Sequence, residues 1–291
     1  MADRRNLLNP THRLETLTAA YQLRHHFGWY AFQRDSLFAP EEIQSTIRRT
    51  ISEVATRYGY HVLVLELEPN AIRCLMSLVP ANCPSEVTRV IKGNLSSQLR
   101  HLVPGKVWSR GWFVRSNGNV CRETVEGYVA KQREHHREIP TRVKSQFCVK
   151  SYSSHLDQDI IRTGQHAAFQ NSYHFVFCVC GRRELVDAVV GNELQKYWLQ
   201  FMSQAGWSCS ELSILRDHVH LAVSLPLDVS PEAVAFRMLN NAEYWFAKRW
   251  NAELESANVE SLFQSSYYVG TYGEASTAQI AAYLSNLNDP S

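Results

Sequence analysis

The sequence predicts an α+β chain made of two ferredoxin-like halves in tandem, each an antiparallel sheet with helices on its faces. Three observations carry that prediction. Strand-like alternation and helix-like periodicity follow one another in the order β-α-β-β-α-β-α, and the order occurs twice. Proline and acidic residues open helices in both halves, at Pro40-Glu41-Glu42, Pro84-Ser85-Glu86 and Ser230-Pro231-Glu232. A stretch without clear period, 139–165, separates the halves, so the predicted units are 22–138, a linker over 139–165, and 166–291.

In the first half, residues up to about Gln22 read as a polar lead-in and His26 to Phe32 as the first strand. A helix from Pro40 to about Arg57 ends at Gly59-Tyr60. His61 to Glu68 alternates as a strand, Pro69-Asn70 turns the chain, and Ala71 to Val79 returns it. A helix from Pro84 to about His101, a strand from Val107 to Val114 and a helix from about Arg122 to Arg137 complete the unit. In the second half, Tyr173 to Cys180 is a strand, Glu184 to about Gln204 a helix, and Trp207 to Leu215 and His218 to Leu225 two strands. Ser230 is a predicted N-cap for a helix to about Trp250. Leu262 to Thr271 is a strand whose Ser266 to Gly270 stretch matches Arg110 to Val114, and Ser276 to Asn286 is the last helix.

Of the 291 residues 45% are hydrophobic and 20% charged, as in a folded globular chain. The formal charge of +2 excludes a global basic field, so any nucleic-acid surface has to be a local patch. No apolar run is long enough to span a membrane, and the start lacks the apolar core of a signal peptide. The seven cysteines include no Cys-x-x-Cys pair; Cys178 and Cys180 read as buried free thiols on a strand, and a reducing cytoplasm fits them.

The chemistry centres on Asp217-His218-Val219-His220. On a strand, residues two apart share a face, so His218 and His220 point together and can share one divalent cation. A lone His-x-His also arises by chance on half-buried strands; its context distinguishes the two. The run Asp-His-Val-His-Leu-x-Val-Ser-x-Pro, a helix, the strand Trp108-Ser109-Arg110-Gly111-Trp112-Phe113-Val114 and a helix with Tyr128-x-x-x-Gln132 resemble the single-tyrosine HUH transposases of small bacterial insertion sequences and their REP-associated relatives. The likeness covers nearly all of both halves. Members of that family usually carry one such domain per chain and work as homodimers, so this chain is read as a tandem-fused pseudodimer, monomeric in itself.

The two halves have lost complementary parts. Asn70-Ala71-Ile72-Arg73 lies opposite Asp217-His218-Val219-His220, so the first half has Ala71 and Arg73 in place of the histidines, yet its last helix keeps Tyr128 and Gln132. Those two, four apart on a helix, lie on one face. The second half keeps the histidines, but its last helix reads Tyr283 to Leu287, with leucine in the glutamine's place. Similar transposases assemble each site in trans, which implies one complete site of Tyr128, Gln132, His218 and His220 and one degenerate site of Ala71, Arg73, Tyr283 and Leu287.

The resemblance implies that Tyr128 is the nucleophile of a metal-assisted cleavage and rejoining of single-stranded DNA beside a hairpin. His218, His220 and the Gln132 amide would hold Mg²⁺ or Mn²⁺. Asp217 reads either as the carboxylate that orients a histidine or as a turn residue. Arg182, Arg183 and Arg73 are candidate phosphate contacts or solvated arginines. Trp108, Trp112, Tyr267 and Tyr268 read as core aromatics or base-stacking platforms, and His135 and His136 as surface residues. The alternative functions are a catalytically inactive hairpin-binding regulator and a replication or conjugation nickase of the same chemistry.

Overall fold

The computed structural model describes residues 15–118, 152–154, 161–164, 166–258 and 260–272. Its first unit comprises β1 (Thr18–Ala31), α1 (Glu41–Tyr58), β2 (His61–Glu68), β3 (Ala71–Leu78), α2 (Pro84–Leu99) and β4 (Trp108–Asn117). Two short strands, β5 (Tyr152–Ser153) and β6 (Arg162–Thr163), follow. The second unit comprises β7 (Ala167–Gln170), β8 (Ser172–Val179), α3 (Ala188–Gln204), β9 (Ser208–Ile214), β10 (His218–Ser224), α4 (Pro231–Ala257) and β11 (Phe263–Thr271). Each unit has the spatial order second, third, first, fourth strand: β2-β3-β1-β4 and β9-β10-β8-β11, all antiparallel. That is the ferredoxin-like arrangement, present twice.

Local chemistry sets the helix ends. α1 buries Ile43, Ile47, Ile51, Val54 and Ala55 along one stripe and stops at Gly59, whose φ of 72° carries the chain out in the left-handed region. Asp187 caps α3 by accepting the N–H groups of Val189 and Val190 at 2.8 and 2.9 Å, so that helix begins at Ala188, later than the expected Glu184. Ser230 accepts the Ala233 N–H at 3.2 Å, and α4 continues to Ala257 through a break at Trp250.

The units join through their strands. β1 does not begin after a lead-in ending at Gln22; it starts at Thr18, and residues 18–22 pair in parallel with Ser266 to Gly270 of β11. The mirror-image joint pairs β7 in parallel with Trp112 to Arg115 of β4. When His26-Phe27 is superposed on His174-Phe175, Ala19-Ala20-Tyr21-Gln22 falls on Ala167-Ala168-Phe169-Gln170, and the two joints have the same register. Backbone hydrogen bonds follow the same symmetry. Ser85 N–H donates to Leu227 O at 3.0 Å, and its counterpart Glu232 N–H donates to Pro80 O at 2.9 Å. Arg24 N–H donates to the Thr271 hydroxyl, which donates to Asn117 O; in the mirror relay Ser172 N–H donates to the Ser116 hydroxyl, which donates to Tyr272 O. His25 and Tyr173, equivalent in the two units, meet each other at 2.9 Å, so the pseudo-twofold axis passes between them.

The result is one eleven-stranded sheet. Leu23, Phe27 and Trp29 of β1, Tyr173, Phe175 and Phe177 of β8 and the apolar stripes of the described helices form one continuous core on one face. The opposite face carries His26, Arg73 and Phe113 in the first unit and His174, His218, His220 and Tyr268 in the second, as the pairing registers require. The same parity moves one expected match by a residue. Phe113 faces Gly28 as Tyr268 faces Val176, so Trp112 corresponds to Tyr267 rather than to Tyr268. Inside the expected linker, β5 pairs with β9 and β6 with β7. Among the described residues no helix is long and apolar enough to cross a membrane.

Candidate functional site

His218 and His220 open β10, the strand between β8 and β9, and both are nearly buried, 8% and 5% exposed. Opposite them on β8 stand Cys178 and Val176. Their ring centroids are 5.0 Å apart, and each ring is oriented through Nδ1. Nδ1 of His218 lies 2.6 Å from Asp217 Oδ1. Nδ1 of His220 lies 3.0 Å from Nε2 of His174, whose ring is nearly parallel to it at 7° with the centroids 5.3 Å apart. Tyr268, 38% exposed, meets the His174 ring edge-on.

Asp217 is held from several sides. Its carbonyl accepts the Val179 N–H at 2.8 Å, as Asn70 accepts from Ala31 at the equivalent place in the first unit. Its second oxygen lies 3.1 Å from Arg182 Nε. The turn Cys180–Arg182 makes that contact: Gly181 and Arg182 have φ of 62° and 56°, which folds the arginine back toward β10. Burial raises the Asp217 carboxyl, but the His218 hydrogen bond and the charges of His218 and Arg182 outweigh it and hold it low.

His174 and His220 are kept neutral. Burial pushes His174 down to about 4. Burial first, and then the charges of His174, His218 and Arg182, push His220 down to about 3 against the pull of Asp217. Neutral imidazoles with Nδ1 committed to a neighbour present Nε2 to a cation, the donor chemistry of a divalent transition metal. Among the described residues no group of three or more His, Cys, Asp or Glu is placed to hold a metal.

The other predicted residues divide. Tyr30 faces Ala71 and Gly28 faces Arg73 as Cys178 faces His218 and Val176 faces His220, so Ala71 and Arg73 hold the histidine positions of the first unit. There Arg73 pairs with Glu68 at 2.6 Å, and His26 takes the place of His174. Arg183 is exposed. Trp112 and Tyr267 lie on the core face, and Trp108 packs on the core with its indole N–H on Ser96 at 2.8 Å; Tyr268 lies on the histidine face. Tyr128, Gln132, Tyr283, Leu287, His135 and His136 lie outside the described residues. The sequence reading missed His174. Its signal was a histidine out of phase with the buried Tyr173, Phe175 and Phe177, repeated at His26 in the other half.

A ferredoxin-like unit present twice, with a same-face histidine pair on β10 of the second copy, is the arrangement of the HUH fold. The chain belongs to the IS200-like transposase family, whose model matches it twice, over residues 19–132 and 167–287. It is 26% identical over 132 residues to the ISDra2 transposase TnpA of Deinococcus radiodurans, a match covering 44% of this chain and 92% of that protein. Among solved structures it is similar to a transposase from Deinococcus radiodurans, with 19% identity over 39% of this chain and 92% of that one and a TM-score of 0.32. A REP-associated tyrosine transposase bound to a REP hairpin matches with 13% identity over 45% of this chain and 73% of that one, at a TM-score of 0.29.

Proposed function

We propose that this transposase cleaves and rejoins single-stranded DNA beside a hairpin, with one composite active site drawn from both halves. The observation that carries the reading is the His218–His220 pair: two imidazoles on one face of β10, each oriented through Nδ1, in the half that keeps them. The Tyr128 hydroxyl would attack the phosphorus in line with the 3′-oxygen. The new bond joins phosphorus to the tyrosine oxygen, the bond to the 3′-oxygen breaks, and the phenolic proton leaves to solvent while the leaving oxygen gains one. The product is a 5′-phosphotyrosine with a free 3′-hydroxyl, and attack by another 3′-hydroxyl reverses the step without ATP. His218 and His220, with the Gln132 amide, would hold Mg²⁺ or Mn²⁺, which polarises the phosphoryl oxygen when bound. Three neutral ligands leave the cation its charge for the phosphate.

The seam supports assembly in trans. The chain leaves β4 at Gly118 against the second unit, where a Cβ would collide with the carbonyl of Thr271 and lie 2.9 Å from the Tyr272 Cα. Thr271 follows Gly270, which faces His174. The described part of β4 and Gly118 therefore end beside the histidine half. Internal pairing also replaces the second subunit, so the working form is a monomer. The test measures hairpin binding and Mn²⁺-dependent cleavage separately, on single-stranded DNA from the protein's own locus, for wild type, His218→Ala and His220→Ala. Cleavage by wild type alone, with binding kept by all three, supports the enzyme; tight binding without cleavage by any of them makes the chain a hairpin-binding regulator.

A further inference from the structure

We infer that His174 is a positioning residue for the metal centre: its Nε2 accepts the Nδ1–H of His220 and so fixes Nε2 of His220 as the atom offered to the cation. The inference rests on the reading of His218 and His220 as metal ligands.

Two observations carry it. Nε2 of His174 and Nδ1 of His220 are 3.0 Å apart, with the two rings nearly parallel at 7° and their centroids 5.3 Å apart, so that they meet edge to edge. The partner histidine, His218, meets a carboxylate at the same ring atom, at 2.6 Å. Metal-ligating imidazoles donate their second ring N–H to a fixed acceptor, which selects the tautomer and the ring's direction. Asp217 is that acceptor for His218. For His220, among the described groups, the acceptor is an imidazole.

The direction of the hydrogen bond decides the function. The 3.0 Å contact holds one proton between the two ring nitrogens. If His220 donates, its Nε2 keeps a lone pair for the cation, and His174 carries its own proton on Nδ1. If His174 donates, His220 is protonated at Nε2 and cannot ligate. A neutral acceptor also differs from the aspartate beside His218. It orients the ligand while adding no negative charge, which keeps the cation a stronger pull on a phosphate. Tyr268 meets the His174 ring edge-on at 6.3 Å.

The test separates the packing of a ring beside His220 from the hydrogen bond. His174→Phe keeps an aromatic ring beside His220 and removes the acceptor, whereas His174→Gln can place an amide oxygen near the lost Nε2. Mn²⁺ affinity of the full chain is measured by electron paramagnetic resonance without DNA, with His218→Ala as control. The expected result is a 10–100-fold loss for His174→Phe and recovery to within a few-fold for His174→Gln. Wild-type affinity in His174→Phe, or equal losses in Phe and Gln, overturns the inference. If wild type and His218→Ala bind alike, the ligand reading itself fails, and the inference with it. Long-range ¹⁵N–¹H histidine spectra of the metal-free wild type give a check independent of any variant. His220 protonated at Nδ1 agrees; His220 protonated at Nε2 refutes it.

Discussion

Replacing Thr271 by valine should destabilise both halves of the molecule at once. The Thr271 hydroxyl accepts the Arg24 N–H at 2.9 Å and donates to Asn117 O at 2.7 Å, bridging the last strand of the second unit to two strands of the first. Valine keeps the shape and removes the hydroxyl, so two backbone groups at a partly buried seam lose this partner. At about 1–1.5 kcal/mol each, the loss is about 2–3 kcal/mol. Ser116→Ala cuts the symmetric relay and should cost a similar amount. Because sheet and core run through both units, urea unfolding followed by circular dichroism and by tryptophan fluorescence should show one shared transition, shifted to lower denaturant with little change in slope. A loss under about 0.5 kcal/mol, or two separate transitions of which only one moves, would refute the continuous seam.

Asp217→Asn should weaken Mn²⁺ binding by about 10-fold or more, since His218 loses a charged acceptor and Arg182 its ion pair. Melting should change little because that ion pair is partly exposed; unchanged affinity would make Asp217 a turn residue only. Glu243 gives a pH signature. It is buried and accepts the N–H groups of Leu262 and Phe263 at 2.8 and 2.7 Å, yet burial lifts its carboxyl to about 7. A carboxyl raised in the folded state stabilises folding fully below its ordinary value of 4.5 and loses that contribution as pH rises through about 7. His25, pushed down to about 4 by burial, has the opposite slope, so wild type must be compared with Glu243→Gln. The stability advantage of wild type should fall by roughly 3 kcal/mol between pH 4.5 and 8; a flat difference would contradict the shift.

Much of this arrangement was legible in the chain because the determinants are local. Pro40, Pro84 and Ser230-Pro231 announce helices, Gly59 ends one, and the alternation around His218 places both histidines on one face. The joints were not legible in the same way. Thr18 to Gln22 looks like a polar lead-in because its partner, Ser266 to Gly270, lies at the far end of the sequence. Only the near-repeat of Ala19-Ala20-Tyr21-Gln22 at Ala167-Ala168-Phe169-Gln170 hints at it. The match of Arg110–Val114 to Ser266–Gly270 slipped by one residue because both strands are aromatic on either face; the cross-strand register decides. His174 escaped for a related reason: a single histidine on an alternating strand gains meaning only when the neighbouring strand brings His220 to it.

The most direct measurement is to identify which tyrosine carries DNA. Wild-type protein would be reacted with single-stranded DNA bearing the flanking hairpins of its locus and Mn²⁺, denatured, digested and mapped by mass spectrometry. A single composite site predicts the 5′-phosphonucleotide on Tyr128, absent in Tyr128→Phe and His218→Ala and retained in Tyr283→Phe. A nucleotide on Tyr283 would place the chemistry within the second half and contradict the account.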